Sequence, residues 1–404
     1  MDTDVIILGG GLVGATLAVA LGAHGLRSVV VDPADPAVTL APGFDGRASA
    51  VASASGRMLD AIGVGERLAG QGCAIRQIRV SDGLEPGALD FIPDADDGAL
   101  GVMYENKAIR RALFDAASEA PLVDLRMKTR AAATVRGPAG VAVTLDDGQA
   151  VRGRVLIAAE GRNSPTRAAA GLPVATWRYD HAAIIGAFHH ERPHESTAFE
   201  IFYPAGPFAL LPLPDDADGH RSAIVWTVAA KDAGAMLKLG DRGFLAEAEK
   251  RMGGFLGALS GASPRASYPL GFHHAARITA ERLALVGDAA HGIHPIAGQG
   301  LNLGFRDVAA LVEVLVEGRR LGLDLGDDQL LARYQRWRGL DTLAVAVATD
   351  TLTRLFGVPG RTASAVRRFG ISAVNAIPPL KARFMAEARG ESGDLPKLLQ
   401  GLTV

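Results

Sequence analysis

Three glycines, Gly9, Gly11 and Gly14, are spaced as G-x-G-x-x-G between an apolar run, Val5 to Leu8, and an apolar stretch from Leu12 to Leu21. That spacing suits a phosphate cradle. The first glycine permits a tight turn, the second lets backbone approach a pyrophosphate, and the third allows close helix packing. With Leu12 and Val13 they open a helix whose free N–H groups and partial positive charge face the phosphates. Asp32 stands 18 residues beyond Gly14, at the end of the next apolar run, where a carboxylate can accept hydrogen bonds from a ribose diol. The pattern predicts a nucleotide site, the ordinary alternative being a glycine-rich turn in a nucleotide-free fold. This half does not separate NAD from FAD.

A second loop makes that separation. Leu283 to Val286 is a strand-like run ending at Gly287-Asp288, and Pro295, Gly298, Gln299, Gly300, Leu301 and Asn302 follow just before a long helical run. NAD ends at its nicotinamide ribose, whereas FAD carries a ribityl chain and an isoalloxazine that need a distant carboxylate and a second set of backbone donors. Asp288 can serve the ribityl hydroxyls. Gly298 and Gly300 leave room for the flavin edge, and the N–H groups opening the helix from Leu301 can stabilise negative charge on the reduced ring. The two loops together predict FAD.

The elements that must position these loops are legible in outline. Val5 to Leu8, the helix from Leu12 and the run Ser28 to Val31 read as strand, tight turn, helix, strand. Val155 to Ala159, ending at Glu160-Gly161, and Leu283 to Val286 are expected to join the same sheet. Between residues 176 and 274 the runs become short, branched and aromatic, punctuated by Gly and Pro: Ile184 to His189, Ala198 to Tyr203, Phe208 to Leu213 and Ser222 to Val228. After Leu301 the pattern is helical. The expected fold is α/β: a Rossmann-like FAD-binding domain with an inserted, mostly antiparallel β substrate domain and a C-terminal helical region. Its expected boundaries are 1–75, 101–175 and 275–335 for the FAD-binding domain, 76–100 and 176–274 for the substrate domain, and 336–404 for the helical region.

Composition excludes several classes. The 404 residues are 48% hydrophobic and 21% charged, enough for a sizeable core over two to three domains. A net charge of -2 gives no footprint for nucleic acid, which is not expected as a partner. The single cysteine, Cys73, forms no disulfide framework within the chain and no cysteine-rich zinc site, in keeping with a reducing cytoplasm. Asp2 and Asp4 stand where a signal peptide would be basic, and no apolar stretch reaches the length of a membrane span; Leu343 to Ala348 soon meets Asp350 and Arg354.

The stretch from Gly287-Asp288-Ala289-Ala290-His291 through His294-Pro295-Ile296-Ala297-Gly298-Gln299-Gly300-Leu301-Asn302-Leu303-Gly304 to Arg306-Asp307 resembles the ubiquinone-biosynthesis hydroxylases, single-component aromatic flavin monooxygenases. The likeness continues through Asp45-x-Arg47, Tyr104-Glu105-Asn106, Gly206 to Leu213, Val225-Trp226 and Arg354-Leu355-Phe356. It implies that Arg47 contacts the FAD pyrophosphate, where a guanidinium suits paired charge-assisted donors, and that Asn106 lies beside the ribityl chain. A solvated arginine and a helix cap are the ordinary alternatives. It also implies that Phe202, Phe208, Pro212 and Trp226 lie on strands over the flavin ring, although strand aromatics are often plain core; His291 is itself expected to line the flavin pocket, a structural histidine being the alternative. The implied reaction uses molecular oxygen to hydroxylate a polyprenylated phenol or quinol, with NADPH, NADH or another electron donor. Because the cofactor carries the difficult chemistry, no protein nucleophile or general base is assigned. The family's middle motif departs here: Glu160 replaces its usual Asp in Glu160-Gly161-Arg162-Asn163-Ser164-Pro165-Thr166-Arg167, which leaves the donor open.

Further readings remain. A flavin-dependent reductase or halogenase is one alternative, though Trp177, Trp226 and Trp337 are too scattered for a halogenase signature; a noncatalytic flavin-binding subunit of a quinone-biosynthesis complex is another. His291 and His294, and the pairs His189-His190 and His273-His274, invite a metal, but adjacent strand residues face opposite sides and no metal site is expected. Between Thr351 and Arg389 the basic residues Arg354, Arg361, Arg367, Arg368, Lys381, Arg383 and Arg389 face one acid, Glu387, with Leu355, Phe356, Phe369, Leu380 and Phe384 interleaved. This tail is expected to meet an anionic membrane or other ubiquinone-biosynthesis proteins, making the chain cytoplasmic and peripheral to the inner membrane. A solvated basic face is the alternative.

Overall fold

Apolar, β-branched runs buried on both faces form the central sheet, the composition that a helix-covered parallel sheet requires. Val5–Leu8 pairs in parallel with Ser28–Asp32 on one side and Val155–Ala158 on the other. Val123–Met127 and Leu283–Leu285 extend it outward in parallel, and Thr279–Ala280 closes one edge antiparallel. The three runs expected to share a sheet therefore lie side by side. All four residues of Val5–Leu8 are buried, and the helix Leu12–Ala23 is buried from Gly14 to Leu21. It packs against the 22-residue helix Gln299–Arg320, so both predicted loops hang from one rigid block.

The computed structural model describes residues 1–41, 43–84, 87–94, 96–292, 299–339, 374 and 377–404, with Gln299 by its backbone alone. Pro295, Gly298, His294 and the tail residues Asp350, Arg354, Leu355, Phe356, Arg361, Arg367, Arg368 and Phe369 lie outside them.

A second, mostly antiparallel sheet runs in the order His291–Gly292, Ala266–Ala275, Val174–His190, Gly219–Ala229, Gly206–Asp216, Thr197–Tyr203, Gln77–Asp82, Leu89–Phe91. Only the pairing of Thr197–Tyr203 with Gln77–Asp82 is parallel along that path. The strand expected at 184–189 is 17 residues long, Val174–His190, because its first half pairs with Ala266–Ala275 past a register shift between Arg178 and Ala182. Alternation gives the sheet two apolar faces. One buries Phe188, Phe208, Leu210, Ile224 and Trp226 beneath the helix Asp241–Met252; the other turns Ala187, Leu211, Leu213 and Ala223 toward Met103 and Ile75. Those last two belong to a small sheet of Ala48–Ala52, Gly101–Glu105 and Cys73–Ile75 that bridges the halves of the molecule.

No helix among the described residues is long and apolar enough to cross a membrane. In the tail, Arg389 is drawn inward to Asp97 and Glu391 and is therefore not a free basic group, whereas Phe384 is exposed.

Candidate functional site

The first strand ends in a turn that only glycine can make. Gly9 has φ +102°, a Cβ there would overlap the Ala159 carbonyl, and a Cβ on Gly14 would overlap the Gly9 carbonyl oxygen. Around Gly11, by contrast, nothing lies within 4 Å of a built Cβ, so the approach to the helix N-terminus is open. Asp32 closes this end: its Oδ2 accepts from Gly10 N at 2.5 Å and its Oδ1 from Ala34 N at 2.7 Å, which fixes the carboxylate while leaving lone pairs for a diol. A cavity of about 110 Å³ opens here between Gly10, Gly11, Leu12, Asp32, Arg110 and Met127. Val13 does something else, packing against Gly287 and Gly304 so that the first helix, the late loop and the long helix interlock.

The late loop is held from behind by a buried ion network. Gly287, at φ +59°, donates its N–H to Asp307 Oδ2 at 2.9 Å. The same carboxylate accepts from His291 Nε2 at 2.7 Å and, through Oδ1, from Arg338 Nε at 2.7 Å. Asp307 is wholly buried; desolvation pushes its pKa up, but the pull of His291 and Arg338 outweighs this and holds it below the usual carboxylate value. The network leaves the Asp288 side chain exposed on the cavity wall, while its carbonyl accepts from His273 Nε2 at 2.7 Å. The middle motif is tied to this loop as well, since Arg167 donates to Ala289 O at 2.8 Å and to Arg162 O at 2.8 Å. Glu160 caps the short helix Pro165–Ala169 through Ser164 Oγ at 2.5 Å and Thr166 N at 3.2 Å.

Between this loop and the second sheet lies a cavity of about 870 Å³. Arg47, Asn106, Asp288, Gly300 and Leu301 line one side of it. Arg47 has no side-chain partner among the described residues, and Asn106, at the start of the helix Asn106–Glu119, accepts from Ser49 Oγ at 2.6 Å. The far wall is the face of the sheet carrying Glu200, Ala209, Leu211, Ala223 and Val225, with Tyr268 and the stacked pair Trp177 and Phe272, 3.9 Å apart, nearby.

Several expectations change here. Phe208 and Trp226 face the opposite side of the sheet, stacking edge to face at 5.3 Å beside Phe244, and Pro212 shares their parity. Phe202 has the cavity's parity but is sealed in the core with Leu211 and Leu213. His291 is 3% exposed and turned to Asp307, away from the cavity. Asn302 spends its side chain on the backbone of Ala50 and Ala52, aligning the strand beside the cavity rather than lining it. What the residue-by-residue reading missed is the small-residue face: a cavity over a sheet needs Ala209 and Ala223, not bulk. The carboxylates near His189 also escaped it, because Asp216 and Asp218 arrive from the turn of a hairpin. His189 meets Asp216 at 2.9 Å, yet Asp216 is already paired to Arg221 at 2.8 Å, so this is an ion-pair cluster.

A glycine turn with open approach, a fixed carboxylate at one end and an exposed one at the other fit a long dinucleotide laid across the two cavities. A model of the FAD binding domain family matches residues 2–346. The chain belongs to this FAD-binding family. FAD is its cofactor. It is 44% identical over 99% of its length to ubiquinone hydroxylase UbiL of Rhodospirillum rubrum, covering 93% of that protein. It is 32% identical over 96% of its length to 3-demethoxyubiquinol 3-hydroxylase of Escherichia coli, covering 98% of it. Human ubiquinone biosynthesis monooxygenase COQ6 is 31% identical over 95% of the chain and 92% of the relative. Among solved structures, p-nitrophenol 4-monooxygenase PnpA of Pseudomonas putida superposes with a TM-score of 0.80 at 19% identity over 98% of this chain and all of its own, a likeness of fold. The chain is thus an FAD-dependent monooxygenase of the ubiquinone-hydroxylase type.

Proposed function

We propose that this enzyme hydroxylates the aromatic ring of a polyprenylated phenol or quinol precursor of ubiquinone, with NADPH, NADH or another two-electron donor as reductant. The observation that carries the reading is the continuity of the 870 Å³ cavity, which runs from Asp288 and Leu301 to the apolar sheet face at Ala209 and Val225. One space can therefore hold a tricyclic ring edge and a substrate ring in contact. The relatives named above, covered over nearly their whole length, support the substrate class.

In this reading Gly9, Gly11, Leu12 and Gly14 hold the pyrophosphate, Asp32 the ribose and Arg47 the phosphate charge. Asn106 and Asp288 serve the ribityl chain, and Gly300 and Leu301 present backbone N–H groups to the ring. Bound FAD, once reduced, supplies electrons and activates oxygen. The chain itself must exclude water and hold the substrate ring, which falls to Leu211, Val225, Phe272 and Trp177. Exposed Ile377 and Phe384, beside Lys381 and Arg383, support peripheral contact with the membrane from which a lipophilic substrate is drawn. Purified protein supplied with NADPH or NADH and a short-tailed prenylphenol tests the reading. Oxygen uptake with a hydroxylated product supports it; tight FAD without turnover points to a noncatalytic subunit, and reductant oxidation without oxygen insertion to a reductase.

A further inference from the structure

The strand Thr197–Tyr203 carries a carboxyl where its neighbours carry hydrocarbon. Glu200 stands opposite Ala209 on one side and Val80 on the other, so neither cross-strand partner can reach it with a polar atom. It is 7% exposed and lines the large cavity, with no hydrogen-bond or ionic partner among the described residues. Small side chains at Ala209 and Ala223 keep the space before it open. A buried polar group without a partner is costly and calls for an explanation in function.

The proposed reaction leaves a role for such a group. A phenol is a poor nucleophile until its hydroxyl proton is removed, and a general base must lie within hydrogen-bond reach of that proton. We infer that Glu200 is the catalytic base toward the substrate, taking the proton of the ring hydroxyl as oxygen is transferred and returning it as the ring regains aromaticity; this rests on the function proposed above. The O–H electron pair stays on the phenol oxygen and feeds the ring. The attacked ring carbon gains a hydroxyl from molecular oxygen and releases its own proton to solvent, after which Glu200 hands its proton back to the phenolate oxygen. The second oxygen atom leaves as water, with two electrons and two protons drawn from reduced FAD.

The surroundings suit that cycle. Burial raises the Glu200 pKa to about 8, between an ordinary carboxyl and a phenol, so both protonation states are within reach. Arg47, Arg162 and Asp288 line the same cavity from other elements, Tyr268 and His273 line it from another strand of the same sheet, and Asp82 shares the face of Glu200 on the adjoining strand. Burial also pushes the Tyr268 phenol up, which keeps that hydroxyl a donor rather than a competing base.

The test uses the full-length, FAD-loaded enzyme, its Glu200→Gln and Glu200→Leu variants, and 2-geranylphenol as probe. Both variants are expected to keep their flavin and lose about 10²- to 10⁴-fold in turnover. The wild-type pH profile should rise through an ionisation that Glu200→Gln abolishes, with the substrate KM little changed. Glu200→Leu should melt at a higher temperature than wild type, since it removes an unpartnered carboxyl. Turnover within about threefold of wild type with an unchanged pH profile overturns the inference, as does a Glu200→Leu variant that unfolds. If wild type neither binds nor hydroxylates the probe, the proposed function fails and takes this inference with it. If wild type acts and Glu200→Gln acts equally, only the inference falls.

Discussion

Replacing Asp307 with leucine should unfold the late loop and release the flavin, and the size of the effect follows from three contacts. The carboxylate is wholly buried and accepts from Gly287 N, His291 Nε2 and Arg338 Nε, all within 2.9 Å. Its removal leaves the Arg338 guanidinium, 1% exposed, without its carboxylate; breaking one side of a buried pair costs about 3–5 kcal/mol. The Gly287 N–H, also deprived of its acceptor, adds about 1–3 kcal/mol. Against a total stability on the order of 5–15 kcal/mol, that loss is large. Replacing both partners, as in Asp307→Leu with Arg338→Met, should recover much of it, because a well-packed apolar pair no longer strands a charge. Urea unfolding followed by circular dichroism gives both free energies, and flavin content is read on the same samples. A loss under about 1 kcal/mol for Asp307→Leu, or no recovery in the double variant, would refute the network's role.

Three other outcomes are expected. Asp288→Ala should keep the fold, since its side chain is exposed, yet weaken flavin binding about ten- to hundredfold by equilibrium dialysis; unchanged flavin affinity would show the ribityl assignment to be wrong. Ala209→Phe should fill the cavity and raise the substrate KM with flavin retained, whereas Trp226→Leu should cost a few kcal/mol of stability, about 2–4, and leave KM alone; the reverse pattern would invert the assigned faces. Glu200 should also make stability depend on pH. Its folded-state pKa of about 8 exceeds the ordinary 4.5, so the folded chain binds more protons between those values; the stability this gives is present at low pH and lost as pH rises through that window. Wild type should therefore lose on the order of 5 kcal/mol relative to Glu200→Leu between about pH 4.5 and 8, in urea titrations across that range. A constant difference would mean that the carboxyl is solvated.

The local features read directly from sequence because local chemistry specifies them. A turn requiring φ +102° at Gly9, with no room for a Cβ at Gly14, admits glycine alone, and Asp32 follows at the end of the neighbouring strand. Strand membership was legible too, from apolar runs between glycines. Facing was not. Phe208 and Trp226 drew attention as aromatic residues on the right strands, but side chains alternate with period two, and the bulky set fills the core while Ala209 and Val225 meet the cavity. A usable signal was present in Ala198-Phe199-Glu200-Ile201-Phe202, an acid where a half-buried strand should carry hydrocarbon. The partner of His291 was beyond reach, since Asp307 lies 16 residues away and its own partner Arg338 a further 31, with no spacing rule that links them.

The proposed site grips one cofactor at both extremities. Acid release and chromatography of the flavin from freshly purified protein tests this most directly. About one FAD per chain, with neither FMN nor free riboflavin, is the predicted result. A colourless chain that takes up no flavin, or one that carries FMN and ignores its adenosine end, would contradict it.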